Sequence, residues 1–228
     1  MNIIYVPARS SSKRLLNKNF KPFHQQISIT EIALRDARLI NYADLTVLDT
    51  DSDEFLLYAK KQNLADYYIK RPEYLASDQV TTATSLSYCI SEIETTFQAK
   101  VSTITLLQPT SPVRSLNTIH QIYNYFISNC LPLVASATYL PTPLTDFYLH
   151  NEDNSMENIK FATLNRPVYF LNGGIFLLTR SHLFTNLNPF IPQAFDQIYL
   201  APIIEFIDID TKDHFELAKI LYNSSKSP

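Results

Sequence analysis

At 228 residues, with 46% hydrophobic and 18% charged residues, the chain has the profile of one globular α/β domain, not of a disordered or fibrous one. Its net charge of −3 excludes a surface-wide field for nucleic acid or an anionic membrane, so any anion site must come from local clustering. The apolar start at residues 3–6 is too short for a leader, and no run approaches ~18 apolar residues, so a soluble cytoplasmic protein is expected.

In chain order, the unbroken apolar run 3–6 ending at Pro7 reads as a strand buried on both faces. Ile29, Ile32, Ala33, Leu39 and Ile40 fall near helical spacing behind Ser28 or Thr30 as caps. A strand at 45–48 stops at the Asp49-Thr50-Asp51-Ser52 turn, and a helix follows from Ser52 or Asp53. Residues 67–69 form the next strand, closed by Arg71-Pro72. A helix over 82–97 turns Leu86, Cys89, Ile90, Ile93 and Phe97 inward. A buried strand at 101–107 ends at Pro109, and Ser115 caps a helix burying Leu116, Ile119, Tyr123, Phe126 and Ile127. Another strand covers 133–138. From 139 to 168 the periodicity dissolves around Pro141, Pro143 and a polar stretch, which marks an excursion from the sheet. Order resumes at 168–178 and 203–209, and a last helix over 212–222 buries Phe215, Ala218 and Leu217 or Ile220.

Strands alternating with helices at this rhythm predict a doubly wound, mostly parallel sheet, with ligands beyond the carboxyl ends of its strands. The loops at 7–19, 49–53, 70–82 and 108–114 are therefore the ones to search. Only two glycines occur, Gly173 and Gly174, so turns fall to Asn, Asp, Ser and Pro, and neither a dinucleotide fingerprint nor a Walker loop is present. Cys89 and Cys130 lie in apolar helical patterns without zinc spacing and are expected buried and reduced. The histidines at 24, 120, 150, 182 and 214 show no ligand spacing and are expected to be surface or incidental residues.

Two constellations carry chemistry. Arg9, Lys13, Arg14 and Lys18 fall within ten residues of an acidic chain, among Ser10, Ser11 and Ser12 and ending at Asn19. Cations directly after a buried first strand suit a polyphosphate, although a solvated basic loop gives the same pattern. Asp208 and Asp210 alternate with Ile207 and Ile209, which on a strand puts both carboxylates on one face. Magnesium is the natural cation between them, while a helix cap at Asp210 is the plainer alternative. The loops from Arg71 to Thr82 and from Gln108 to Arg114 join prolines to amides, hydroxyls and an arginine, which suits gripping a base or sugar.

Together these pieces resemble the CMP-sialic acid synthetases, the acylneuraminate cytidylyltransferase family, nearly end to end. The resemblance rests on P-A-R-x-x-S-K-[GR]-x-x-x-K-N at Pro7 to Asn19, a partial S-T-D at Asp49-Thr50-Asp51, and R-P-x-x-L-A-S-D at Arg71 to Asp78. It continues with L-L-Q-P-T-S-P-L-R at Leu106 to Arg114, N-G-x-I-Y at Asn172 to Phe176, and S-I-D-I-D-T at Phe206 to Thr211. It implies a Rossmann-like nucleotidyltransferase fold for the single domain 1–228, with 139–168 as a protruding dimerisation excursion of a homodimer. It also implies CMP transfer from CTP to the anomeric hydroxyl of a nine-carbon keto-sugar acid, releasing pyrophosphate with Mg2+. Arg9, Ser12, Lys13, Lys18, Asn19, Arg71 and Thr82 would hold the nucleotide, and Gln108, Arg166, Asn172 and Phe176 the sugar. Asp208 and Asp210 would take the metal, with Arg9, Lys18 and Asp208 acting on the reacting phosphate. The chain departs from the family at Ser11, Leu16, Thr145 and Phe176, and at Asp49, where a serine is usual and an added negative charge beside the triphosphate is expected. Such departures also fit a relative that binds nucleotide without turnover. An eight-carbon keto-acid is the alternative substrate, and Lys13-Arg14 resembles the legionaminic and pseudaminic branches.

Overall fold

The computed structural model describes residues 1–11, 14–139, 148–150, 156–158 and 169–226. The chain runs β1 (Asn2–Ala8), a short hairpin of β2 (Pro22–His24) and β3 (Ile27–Ser28), α1 (Ile29–Arg38), β4 (Leu45–Thr50), α2 (Asp53–Lys61) and β5 (Tyr67–Lys70). It continues through α3 (Thr82–Phe97), β6 (Thr103–Leu107), α4 (Leu116–Ser128), β7 (Leu133–Tyr139), β8 (Tyr148–His150) and β9 (Met156–Asn158). It closes with β10 (Tyr169–Thr179), α5 (Arg180–Thr185), β11 (Ile198–Leu200) and α6 (Lys212–Lys226).

Seven strands form one sheet in the order β5-β4-β1-β6-β10-β7-β11. Every neighbouring pair is parallel except those made by β10, which runs against both β6 and β7. Successive side chains of β1 point to opposite faces. Ile4 and Val6 meet Ala33 and Leu34 of α1, Phe55 of α2 and Ile119 of α4, while Ile3 and Tyr5 meet Leu86, Cys89 and Ile90 of α3. The sheet is thus wound on both faces, as the strand–helix rhythm predicts. The chain first adds β4 and β5 on one side of β1, then crosses to β6 on the other, so the order reverses between β1 and β6.

Helix starts follow the sequence closely. Ser28, Ser52, Thr81 and Ser115 each accept a backbone N–H of the first turn with the side chain. Several inward assignments fail for local reasons. Phe97 is half exposed because α3 ends at the sheet margin, where its ring meets Tyr67 of edge strand β5 edge-on. Ile127, in the last turn of α4, is also half exposed. Leu217 and Ile220 face outward because α6 packs on the β2–β3 hairpin and α1, not on the sheet, and buries only the stripe Phe215, Ala218 and Tyr222. Cys89 is buried as expected, but Cys130 is exposed two residues beyond the end of α4. His182 is buried against the carbonyl of Pro189. Residues 203–209 do not form a strand. Ile203–Phe206 is a 3-10 turn, followed by an extended stretch outside the sheet. The short elements β2, β3, β11 and α5 carry too few residues to show a period. Most of 139–168 lies outside the described residues, and within it β8 and β9 form an antiparallel pair.

Glycine scarcity has a conformational cost. Asn17, Gln25, Gln26, Asn63, Gln98 and Cys130 all hold φ between 47° and 68°, the left-handed region. Cys130 ends α4 with Leu131 N–H donating to the Phe126 carbonyl at 3.2 Å, a closure in which glycine is the usual residue. Cys130→Gly is therefore expected to stabilise the fold by about 0.5–1 kcal/mol, read as a rise of roughly 1–4 °C in thermal unfolding. A fall would show that the position carries no strain.

Candidate active site

The β1/β6 reversal opens a cleft at the carboxyl ends of the strands, where ligands of doubly wound sheets sit. Arg9 follows β1, Arg71 follows β5, Gln108 follows β6, and Thr82 opens α3. All four line a cavity of about 260 Å³ together with Asp208 and Asp210. A second cavity of about 270 Å³ shares Arg9, Lys18, Asn19, Asp78 and Asp210 with it and adds Ser11 and Arg14, so the two are halves of one cleft.

The cationic turn is braced from both sides. Ser10 donates through its amide and hydroxyl to Asp51 at 2.6 and 2.7 Å, which fixes the turn against the end of β4. Arg9 pairs with Asp78 at 2.8 Å. Asn19 is 6% exposed and donates to the Arg9 carbonyl at 2.8 Å, and its Oδ1 has no hydrogen-bond partner among the described residues. Lys18 Nζ donates to the Ile209 carbonyl and lies 3.2 Å from Asp210, while Arg14 approaches the other Asp210 oxygen at 2.9 Å.

The two carboxylates are brought there without a strand. Ile209 N–H donates to the Thr110 carbonyl at 2.7 Å, which ties the extended stretch to the loop after β6. Ile207 and Ile209 are buried at 3% and 0%, so Asp208 and Asp210 share the open face. The alternation read from the sequence survives, although the ladder does not. Asp210 is held by two cations, whereas Asp208 has no ion-pair partner among the described residues and only a long contact, 3.5 Å, from the Ser111 hydroxyl.

The loop after β6 is shaped from beneath. Arg114 Nη1 donates to the carbonyls of Gln108 and Ser111 at 2.8 and 2.7 Å. Gly174 lets β10 approach closely, since a Cβ there would lie 3.2 Å from Ser111 Cβ. The glycine pair sits where the β10 register shifts.

Not every residue expected at the site reaches it. Asn172 is 2% exposed and its amide is consumed internally. It donates to the Glu205 carbonyl and accepts from Gly174 N–H and the Ser136 hydroxyl. Phe176 is buried beside Phe190 on the α3 face. Asp49 adds no charge to the cleft, because it is 1% exposed and bonded to Arg71 and Tyr5. Ser12, Lys13, Thr145 and Arg166 lie outside the described residues. Asp78 and Ser85 also line the cleft, beyond the residues expected there. Asp78 closes the Arg71 to Asp78 motif, and Ser85 lies one turn beyond the Thr81 cap.

No helix among the described residues is long and apolar enough to cross a membrane. The solved structure of CMP:2-keto-3-deoxy-manno-octonic acid synthetase complexed with CTP superposes with a TM-score of 0.65 at 12% identity, covering 98% of this chain and 99% of that one. A 4-diphosphocytidyl-2C-methyl-D-erythritol synthase gives 0.67 at 13% identity, covering 96% and 97%. These likenesses speak to the fold. In sequence, the pseudaminic acid cytidylyltransferase of Campylobacter jejuni is 25% identical over 97% of this chain and 96% of its own length. The CMP-N,N'-diacetyllegionaminic acid synthase of Legionella pneumophila is 26% identical over 95% and 94%. The family model described as cytidylyltransferase matches residues 3–165, the stretch holding β1, β4, β5, β6 and the loops that line most of the cleft. With more than half its length so matched, the chain belongs to the cytidylyltransferase family, as its six ordered motifs imply.

Proposed function

We propose that the protein transfers the cytidylyl group of CTP to the anomeric hydroxyl of a nonulosonic acid of the pseudaminic, legionaminic or sialic type, releasing pyrophosphate. The observation that carries this reading is one cleft in which Arg9, Arg14 and Lys18 face Asp208 and Asp210 at the β1/β6 reversal. The relatives named for pseudaminic and legionaminic acids share 25% and 26% of their residues with this chain, against 12% for the eight-carbon acid synthetase, which favours the nonulosonic class.

The half of the cleft with Ser11, Arg14 and Lys18 suits the triphosphate, and Ser12 and Lys13 would extend it. The half with Arg71, Thr82 and Gln108 suits base, ribose and sugar, with Asn19 offering an acceptor between them. Arg166 would join the sugar side, while Asn172 and Phe176 would support that wall from inside. Arg9 and Lys18 would neutralise charge gathering on the α-phosphate as the bond to pyrophosphate breaks, an effect largest in a site shielded from water. Both are now paired with carboxylates, so phosphate binding exchanges one anion for another instead of burying bare cations.

Asp208 and Asp210 fit a magnesium ion, because Mg2+ commonly takes one or two carboxylates and completes its shell with phosphate oxygens and water. When bound, it would supply charge neutralisation at the phosphates and acidify a coordinated hydroxyl. The excursion at 139–168 would reach a second copy of the chain in a homodimer.

Incubation with CTP, Mg2+ and a panel of nonulosonic and octulosonic acids tests the reading. Stoichiometric pyrophosphate with one nonulosonic acid is expected, and silence across the panel would remove it.

A further inference from the structure

Beneath the base-and-ribose half of the cleft lies a buried polar cluster of Tyr5, Asp49 and Arg71, of which Arg71 alone lines the cavity. Three adjacent parallel strands contribute to it, with Tyr5 on β1, Asp49 on β4 and Arg71 directly after β5. Asp49 and Arg71 are 1% and 6% exposed. Arg71 N–H donates to the Thr50 carbonyl at 2.8 Å, which anchors its backbone to β4. Its guanidinium Nε reaches both Asp49 oxygens, at 3.0 and 3.1 Å, and Nη2 bonds Oδ2 as well. Tyr5 donates its hydroxyl to the same Oδ2. Burial pushes the Tyr5 phenol well above its ordinary pKa, so it stays a donor.

We propose that Asp49 is a positioning residue that fixes Arg71 as a charge-balanced hydrogen-bond donor for a neutral acceptor at the base-and-ribose end of the nucleotide. The inference rests on the nucleotide reading of the cleft. Nε and Nη2 are occupied by Asp49, and Nη1 makes no hydrogen bond among the described residues, so one oriented edge remains for a ligand. A free arginine is a phosphate ligand. One whose charge is matched by a buried carboxylate keeps its N–H geometry but loses its preference for anions. Its natural partner is a ring carbonyl or ribose oxygen. Location agrees, since Arg71 lines the cavity with Thr82 and Gln108 and is absent from the one with Ser11 and Arg14.

The test compares Asp49→Asn, Tyr5→Phe, Arg71→Lys and the Asp49→Asn/Arg71→Lys pair in the full chain, reading CTP affinity by titration, KM and kcat by pyrophosphate release, and inhibition by inorganic triphosphate. Asp49→Asn is expected to raise Kd and KM for CTP about tenfold, with kcat falling less than about threefold. Triphosphate inhibition is expected to stay within about twofold, because phosphate contacts are untouched. Tyr5→Phe, which removes one neutral donor from an apolar-walled site, is expected to raise KM about two- to threefold. In the pair, the two losses should not add, since both act through one guanidinium. Equal loss of CTP and triphosphate binding, unchanged CTP affinity in Asp49→Asn and Tyr5→Phe, or additive losses in the pair would each overturn the proposal. If the unaltered chain binds no CTP, the nucleotide reading itself fails and this inference with it.

Discussion

Asp208→Asn is expected to lower kcat for pyrophosphate release by roughly 10²–10³ while CTP affinity changes only a few fold. The two carboxylates of the cleft are not equivalent. Asp210 sits between Lys18 and Arg14, so part of its charge is already spent on cations that would turn to the phosphates. Asp208 has no such partner among the described residues and faces the same cleft. It is therefore the carboxylate proposed to hold the divalent ion, and its amide isostere keeps shape while removing charge. Asp210→Asn should behave differently. Releasing Lys18 and Arg14 makes the cleft more cationic, so metal-free CTP binding should tighten even as turnover falls. Steady-state kinetics with calorimetric titration separates the two effects. An Asp208→Asn variant keeping more than about a third of wild-type kcat would contradict this division of roles.

The largest loss of stability is expected at Arg114. Its side chain is almost wholly buried, 3.3 Å from the Asp36 carboxylate, with Glu205 close by. Burial pushes the Glu205 carboxyl above its usual range, while hydrogen bonds from Thr118 and Ser115 and the charge of Arg114 restrain the rise. Arg114→Met would leave both carboxylates without their cation and remove the donor that holds the Gln108 and Ser111 carbonyls. A loss of about 3–5 kcal/mol follows, or roughly 10 °C in thermal unfolding for a chain of this size. The deficit should depend on pH in a stated direction. A carboxyl whose folded pKa is raised binds its proton more tightly folded than unfolded, so stability rises as pH falls through that raised value. Without Arg114 the Glu205 pKa rises further. The variant should therefore recover part of its loss as pH is lowered towards the ordinary carboxylate range, and a deficit that grew on acidification would contradict this assignment.

What the sequence disclosed was local chemistry at fixed spacing. The caps at Ser28, Ser52, Thr81 and Ser115 are legible because an N-cap needs one side-chain oxygen and its neighbours. The cations at 9–18 and the Asp208/Asp210 pair are legible because their charge has no use in a core. Orientation was harder to read. Asn172 belongs to a recognisable motif, yet the bulge at Gly173-Gly174 turns its amide into a fully satisfied interior network. Asp49 looked like a charge beside phosphates, but it lies under the sheet's end against an arginine 22 positions later, a distance no local pattern spans. Residues 207–210 keep a strand's alternation without a strand, because one bond from Ile209 to Thr110 and two buried isoleucines suffice to set it. The left-handed positions taken by Gln25, Gln26, Gln98 and Cys130 could not be foreseen from side chains that ordinarily avoid them.

CTP is expected to occupy the cleft at the β1/β6 reversal. Hydrogen exchange read peptide by peptide, with and without CTP, tests it directly. Slowed exchange is expected at residues 9–11, 71–85, 108–111 and 208–210. Protection confined to the separate groove between α1 and α2, lined by Phe20, Phe55 and Tyr58, would contradict it.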